Sequence, residues 1–237
     1  PQANHLQMVF AVCEMAGWLS EPAEAVHVGF GNVLGDDGKM MRSRAGDSVK
    51  LVDLLDEAIQ RADAAVKEKN PELPAMQRGK VAEMVGIGAL KYFDLSTDRI
   101  KDYQFDWDRM LAFEGSTGPY LQYAHARICR VFRKAGVERA SVRQLPIALD
   151  DPIERALAMR LLAYPSVVEA TAASYSPHRL CTYVYELASD FSSFYQECPI
   201  LKSDEPVRSS RLALADLVAR MLEHSLGLLG IAAPQEM

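Results

Sequence analysis

Apolar positions along this 237-residue chain recur mostly three and four apart, which predicts helix over most of its length. Leu6, Val9, Phe10, Cys13 and Gly17 predict a first helix over 5–19. Val26–Leu34 is different: short, β-branched and glycine-rich, it reads as a strand or two of a sheet whose remainder lies upstream. Asp47 and Ser48 precede a helix whose apolar stripe is Leu51, Leu54, Leu55, Ala58, Ile59, Ala62 and Val66, with its charged face toward solvent. After the Asn70–Pro74 break a second helix runs over 76–93, with Val81, Met84, Val85, Gly88 and Tyr92 on one face. Gly86 and Gly88 cost that helix about 1 kcal/mol each in propensity. Close packing against a neighbouring backbone accounts for them; a ligand contact is the alternative. Residues 94–106 read as polar and irregular, and a short helix starts at Asp106–Trp107.

Gly115-Ser116-Thr117-Gly118-Pro119 is the clearest boundary in the chain. Beyond it the pattern is helical throughout, over about 119–135, 151–162, 164–173, 177–197 and 206–229. Two stripes stand out: Leu180, Tyr183, Val184, Leu187, Phe191, Phe194 and Tyr195, then Leu214, Leu217, Val218, Met221, Leu222 and Leu229. Helices of this kind bury one face against each other, so 118–237 is expected to form an all-helical bundle.

Composition adds little to this picture: 49% hydrophobic, 24% charged, and no apolar run near the roughly 20 residues of a membrane span. The chain opens on Pro1 in a pattern already helical by Leu6, and reads as a piece of something longer. Cys13, Cys129, Cys181 and Cys198 are far apart, without metal-ligand spacing, and read as reduced, buried thiols. Charge changes the picture more. The net is −6, which taken alone argues against nucleic acid, yet residues 118–143 hold six Lys/Arg against one acid.

Two stretches carry candidate chemistry. Between Gly35 and Gly46 the chain places Lys39, Arg42 and Arg44, with Lys50 just beyond, in a loop free to bend. Such a loop suits a phosphate-rich ligand, a solvated turn being the alternative. On the 119–135 helix, Tyr123, Arg127, Arg130 and Lys134 fall on one edge, away from the apolar side of Leu121, Ala124, Ile128, Val131, Phe132 and Ala135. An aromatic followed by three cations can track an RNA backbone, and a solvated edge is again the alternative. Tyr120 and His125 flank the core side and read as packing residues.

Four pieces, in order, resemble the C-terminal half of the class I arginyl-tRNA synthetases. They are His27-Val28-Gly29-Phe30-Gly31-Asn32-Val33-Leu34-Gly35; Lys39-Met40-Met41-Arg42-Ser43, which is similar to the KMSKS signature; Glu114–Arg127, similar to the start of that family's anticodon-binding domain; and Leu228–Ile231 followed by Met237. The resemblance implies a mainly α chain in three parts. Residues 1–48 would end a Rossmann-like catalytic domain, 49–117 would form a helical stem-contact region, and 118–237 an all-α anticodon-binding domain. It implies ATP-dependent activation of L-arginine and transfer to tRNA(Arg), with ATP and Mg2+ entering as substrate, in the cytoplasm, without membrane or DNA partners. Lys39 and Arg42 match the catalytic cations of the signature, although Met41 and Arg42 depart from its Ser and second Lys. Lys39, Met40, Arg42, Ser43, His27 and Gly29 would contact ATP, and Gln2, in a Gln-x-x-His segment with His5, would contact arginine. Tyr123, Arg127, Arg130, Lys134 and Met237 would meet tRNA. The family's other ATP motif, of HIGH type, has no counterpart in these 237 residues, so the chain alone is expected to be inactive. A non-catalytic RNA-binding or scaffold protein of the same descent is one other reading of the sequence. A helical interaction protein without nucleic acid is another.

Overall fold

The computed structural model describes residues 2–35, 38 and 50–237. In chain order the described elements are α1 (Gln2–Met15), β1 (Val33–Leu34), α2 (Leu51–Lys69), α3 (Ala75–Ser96), β2 (Tyr103–Gln104) and α4 (Trp107–Leu111). There follow α5 (Gly118–Ala135), a 3-10 turn (Arg139–Val142), α6 (Pro152–Leu162), α7 (Tyr164–Ser174), α8 (Pro177–Glu197) and α9 (Val207–Leu228). The chain is mainly α, and each helix predicted from periodicity is present, with boundaries shifted by at most a few residues.

The strand prediction needs correcting. Only Val33–Leu34 of 26–34 forms a ladder, and its partner is Tyr103–Gln104, inside the stretch expected to be irregular. The pair is parallel, so α2 and α3 serve as the crossover that parallel pairing requires. Side-chain bonds hold it as much as the ladder does: Asp102 Oδ1 accepts from the Asn32 backbone N–H at 2.6 Å and from Asn32 Nδ2 at 3.0 Å. Behind β2 an edge-to-face run of rings, Tyr103–Phe93–Phe105–Trp107, ties the segment to α3.

α2 and α3 form an antiparallel hairpin around Ala62, Val66, Val81, Ala82 and Val85. Gly86 lets the two backbones meet, since a Cβ there would lie 2.7 Å from the Ala58 carbonyl. Gly88, two residues further and therefore on the opposite side of the helix, is needed where the Gln122 side chain and Ile231 close over it. Packing, not a ligand, explains both glycines.

The main core lies among α3, α5, α6, α8 and α9, with Leu121, Ile128, Leu187, Phe191, Phe194, Leu222 and Leu226 fully enclosed. Tyr92 of α3 belongs to it, donating to the Cys181 carbonyl at 3.1 Å, and burial raises its phenol well above the ordinary range. The Gly115–Pro119 segment packs against this core. Thr117 caps α5 by accepting from the Tyr120 N–H at 3.2 Å, and Gly118 sits against the Gly88 carbonyl. Cys129, Cys181 and Cys198 are buried free thiols, with Cys181 pushed up to about 12 by burial, while Cys13 is half-buried. No helix among the described residues is long and apolar enough to cross a membrane.

Candidate nucleic-acid interface

α5 is fixed at both ends, by the Thr117 cap with Pro119 in the first turn and by Gly136 in the left-handed region at its C-terminus. Its apolar side faces the core, which sets where the other residues must point. Tyr123 stays 37% exposed and stands edge-on to Phe113, with ring centroids 6.3 Å apart. Lys69, from the end of α2, lies 5.9 Å over that Phe113 ring. Met237 packs with Phe113 against the α2–α3 core, so four elements contribute to one aromatic and apolar patch.

Arg130 and Lys134 continue the edge as exposed side chains. Arg127 does not. Its guanidinium turns toward α8, 5.2 Å from the ring centre of Tyr195 and 5.7 Å from that of Phe191, and Nη2 donates to Ser192 Oγ at 2.7 Å. Tyr195, whose spacing placed it in the apolar stripe, is 39% exposed with Arg127 lying over its face. The edge therefore offers two aromatic faces, Tyr123 and Tyr195, with cations between and beyond them. The sequence pattern does not single out Phe113 and marks Tyr195 only as part of an apolar stripe; their contacts with Tyr123 and Arg127 arise in three dimensions.

The segment after α9 runs back across α3 and α5. Gln122, fully buried, donates through Nε2 to the carbonyls of Met84 at 2.9 Å and Ala232 at 2.8 Å. His125, also fully buried, faces the Pro234 carbonyl with Nδ1 at 2.9 Å, which fixes Nδ1 as the protonated nitrogen. Burial holds this imidazole below its ordinary value and keeps it neutral. Arg133 donates to the Gln235 carbonyl at 3.0 Å and pairs with Glu236 at 3.3 Å. Asn70 Nδ2 donates to the Met237 carbonyl at 3.2 Å. Residues 230–237 thus bring Met237 to the α2–α3 core that Phe113 also packs against. His125 is a packing residue, as its position on the helix implied; Tyr120 is half-buried beside Tyr185.

The other predicted site residues lie in the first part of the chain. Gln2 and His5 are exposed on α1, a helix that buries none of its residues. His27 is half-buried, and the Gly29 carbonyl accepts from Arg99 Nη1 at 2.8 Å, while Arg99 Nε donates to the Tyr175 carbonyl at 3.0 Å. One arginine thus links the His27–Gly35 segment to the turn between α7 and α8. Gly38 has φ 70° and its N–H donates to the Gly35 carbonyl at 2.9 Å, a bend that needs glycine. Lys39, Met40, Arg42 and Ser43 lie outside the described residues.

Known proteins share both the sequence and this arrangement. The family of class I tRNA synthetases (R), catalytic domain, matches residues 1–107, and the DALR anticodon binding domain matches residues 121–237. An arginine–tRNA ligase of Thermobifida fusca is 50% identical over 238 residues. The chain belongs to the arginyl-tRNA synthetase family. An arginine–tRNA ligase of Frankia casuarinae is similar at 51% identity, the comparison covering 100% of the chain and 40% of that relative. The Plasmodium falciparum arginyl-tRNA synthetase structure superposes with a TM-score of 0.85 at 28% identity, covering 100% of the chain and 40% of that structure. That of Thermus thermophilus gives 0.82 at 34% identity, covering 96% and 38%. The chain thus spans about 41% of the length of an arginine–tRNA ligase such as that of Thermobifida fusca.

Proposed function

We propose that this chain supplies two working parts of an arginine–tRNA ligase: the KMSKS-like loop of the ATP site and the surface that receives the anticodon of tRNA(Arg). The division follows the sequence boundaries, with catalytic-domain residues in 1–48, a stem-contact region in 49–117 and the anticodon-binding bundle in 118–237.

One observation carries the tRNA half. Tyr123, edge-on to Phe113, and Tyr195, under Arg127, are exposed aromatics along α5, which also carries the exposed cations Arg130 and Lys134. Bases splayed from an anticodon loop stack on aromatic faces, each worth about 1–3 kcal/mol, while neighbouring cations take the backbone phosphates. Arg127 holds the Tyr195 ring in place from its own side of the patch.

The ATP half rests on resemblance and charge. As the arginine carboxylate attacks the α-phosphorus of ATP, negative charge builds on the leaving pyrophosphate. The Lys39 ammonium and Arg42 guanidinium would neutralise it, Arg42 by forking onto two oxygens. Mg2+ would accompany ATP, His27 and Gly29 would border the nucleotide, and Gln2 would face the substrate arginine.

Fluorescence anisotropy with labelled tRNA(Arg) tests the reading. The chain should bind this tRNA more tightly than one with an exchanged anticodon, and Tyr123→Ala should abolish the difference. Equal affinity for both tRNAs would overturn the anticodon assignment.

A further inference from the structure

Asp216 of α9 is completely buried, and three arginines converge on its carboxylate. Arg139 Nε donates to Oδ1 at 2.8 Å, Arg220 Nε donates to Oδ2 at 2.9 Å, and Arg143 Nε lies 3.6 Å from that same Oδ2. A buried carboxylate must be compensated, and one well-placed guanidinium with a second hydrogen bond does that. Arg139, 19% exposed, already fills the first role. Arg143 and Arg220 remain 50% and 42% exposed. Both present Nε to the carboxylate, so their Nη amino groups are left without a protein partner among the described residues. Both guanidinium groups approach the same oxygen, Asp216 Oδ2. Among the described residues the other acid in reach is Glu223, 3.8 Å from Arg139 Nη1, so three cations face two anions.

Two half-exposed guanidiniums drawn to one buried acid can together meet an anion, and the planar geometry of arginine suits the oxygens of a phosphodiester. The place in the chain indicates whose phosphodiester. Arg139 and Arg143 sit in the turn that follows α5 directly, and they close the 118–143 stretch of six Lys/Arg against one acid. Arg130 and Lys134 lie exposed on the last turns of α5 just before it. We propose that Asp216 gathers Arg143 and Arg220 into a seat for a backbone phosphate of the bound tRNA, beyond the aromatic patch that receives its bases. The inference rests on the tRNA-binding reading given above.

The test is the salt dependence of tRNA(Arg) binding by the full 237-residue chain. Removing one cation that touches a phosphate should flatten the slope of log K against log salt by roughly one unit. Arg143→Ala and Arg220→Ala should each do so, the double variant should show both effects, and Arg143→Lys should keep the wild-type slope. Lys202→Ala removes a charge from an exposed turn and should leave the slope alone. A merely structural clamp predicts lower melting temperatures with no change of slope. That result, with Arg130→Ala still flattening the slope, overturns this proposal and leaves the tRNA-binding reading standing. Absence of salt-dependent binding in the wild-type chain overturns both. If the double variant does not fold, Arg143→Ala decides, since the half-exposed Arg143 makes the longer of the contacts to Asp216.

Discussion

His125 and Pro234 are joined by a bond of 2.9 Å from the imidazole Nδ1–H to the carbonyl, and it fastens residues 230–237 to the middle of α5. The other ring nitrogen faces Cys129 Sγ at 3.8 Å and Glu223 Oε2 at 3.9 Å.

Stability should therefore fall in mild acid. Burial depresses the His125 pKa below 6.5, opposed more weakly by the Pro234 carbonyl and Glu223, with a small further lowering from Arg139. Below about pH 6.5 the unfolded chain protonates this histidine and the folded chain does not, so unfolding takes up a proton. The stabilisation is complete above that pH and is lost below it, by at most about 1.4 kcal/mol per pH unit until the folded-state pKa is reached. Urea titrations between about pH 7.5 and 5.5 should show a steeper decline for wild type than for His125→Gln.

Two glycines of α3 should respond oppositely to alanine. At Gly86 the added methyl would meet the Ala58 carbonyl at 2.7 Å, forcing α2 and α3 apart at a cost of about 1–3 kcal/mol. At Gly79 nothing lies within 4 Å, so alanine should stabilise by about 0.5–1 kcal/mol. Denaturant midpoints of the two variants should move to opposite sides of wild type.

Along the α5 edge, stability and RNA binding should separate. Arg127→Ala removes the contacts to Tyr195, Phe191 and Ser192 and should cost about 1–2 kcal/mol of folding stability. Arg130→Ala and Lys134→Ala should change stability by less than about 0.5 kcal/mol. Each should instead flatten the salt slope of tRNA binding by roughly one unit. Thermal melts and anisotropy on the same three variants check both halves.

Assayed by itself, the 237-residue chain should give no arginine-dependent ATP–pyrophosphate exchange. The proposed loop at Lys39–Ser43 would supply one of the two ATP motifs that the family resemblance implies, and effects of residues that act as a unit are not additive. Robust exchange by the isolated chain would refute this.

Much of the fold was legible because helical periodicity reports burial directly: Leu180, Val184, Leu187 and Phe191 repeat at helix spacing and all lie in the core. The Tyr103–Gln104 strand was not, because two residues are too few to show alternation, and its partner lies 70 residues away in sequence. Tyr195 misled for a related reason. Its spacing matches the buried stripe, but the ring stays 39% exposed at the edge of the core, with Arg127 over one face. The role of Gln122 was hidden altogether. Its two acceptors sit 38 and 110 residues away, a relation no local pattern encodes.

Residues 230–237 also bear on the order in which the molecule is made. Gln122 and His125 are sealed inside the bundle, yet their carbonyl partners Ala232 and Pro234 follow 110 and 109 residues later. While those residues are still within the ribosome, both side chains lack acceptors they will be buried with, and the α2–α3 core lacks the Met237 side chain. α3 and α5 can pair as soon as both are made, but the cover over Gln122 and His125 comes only with residues 230–237.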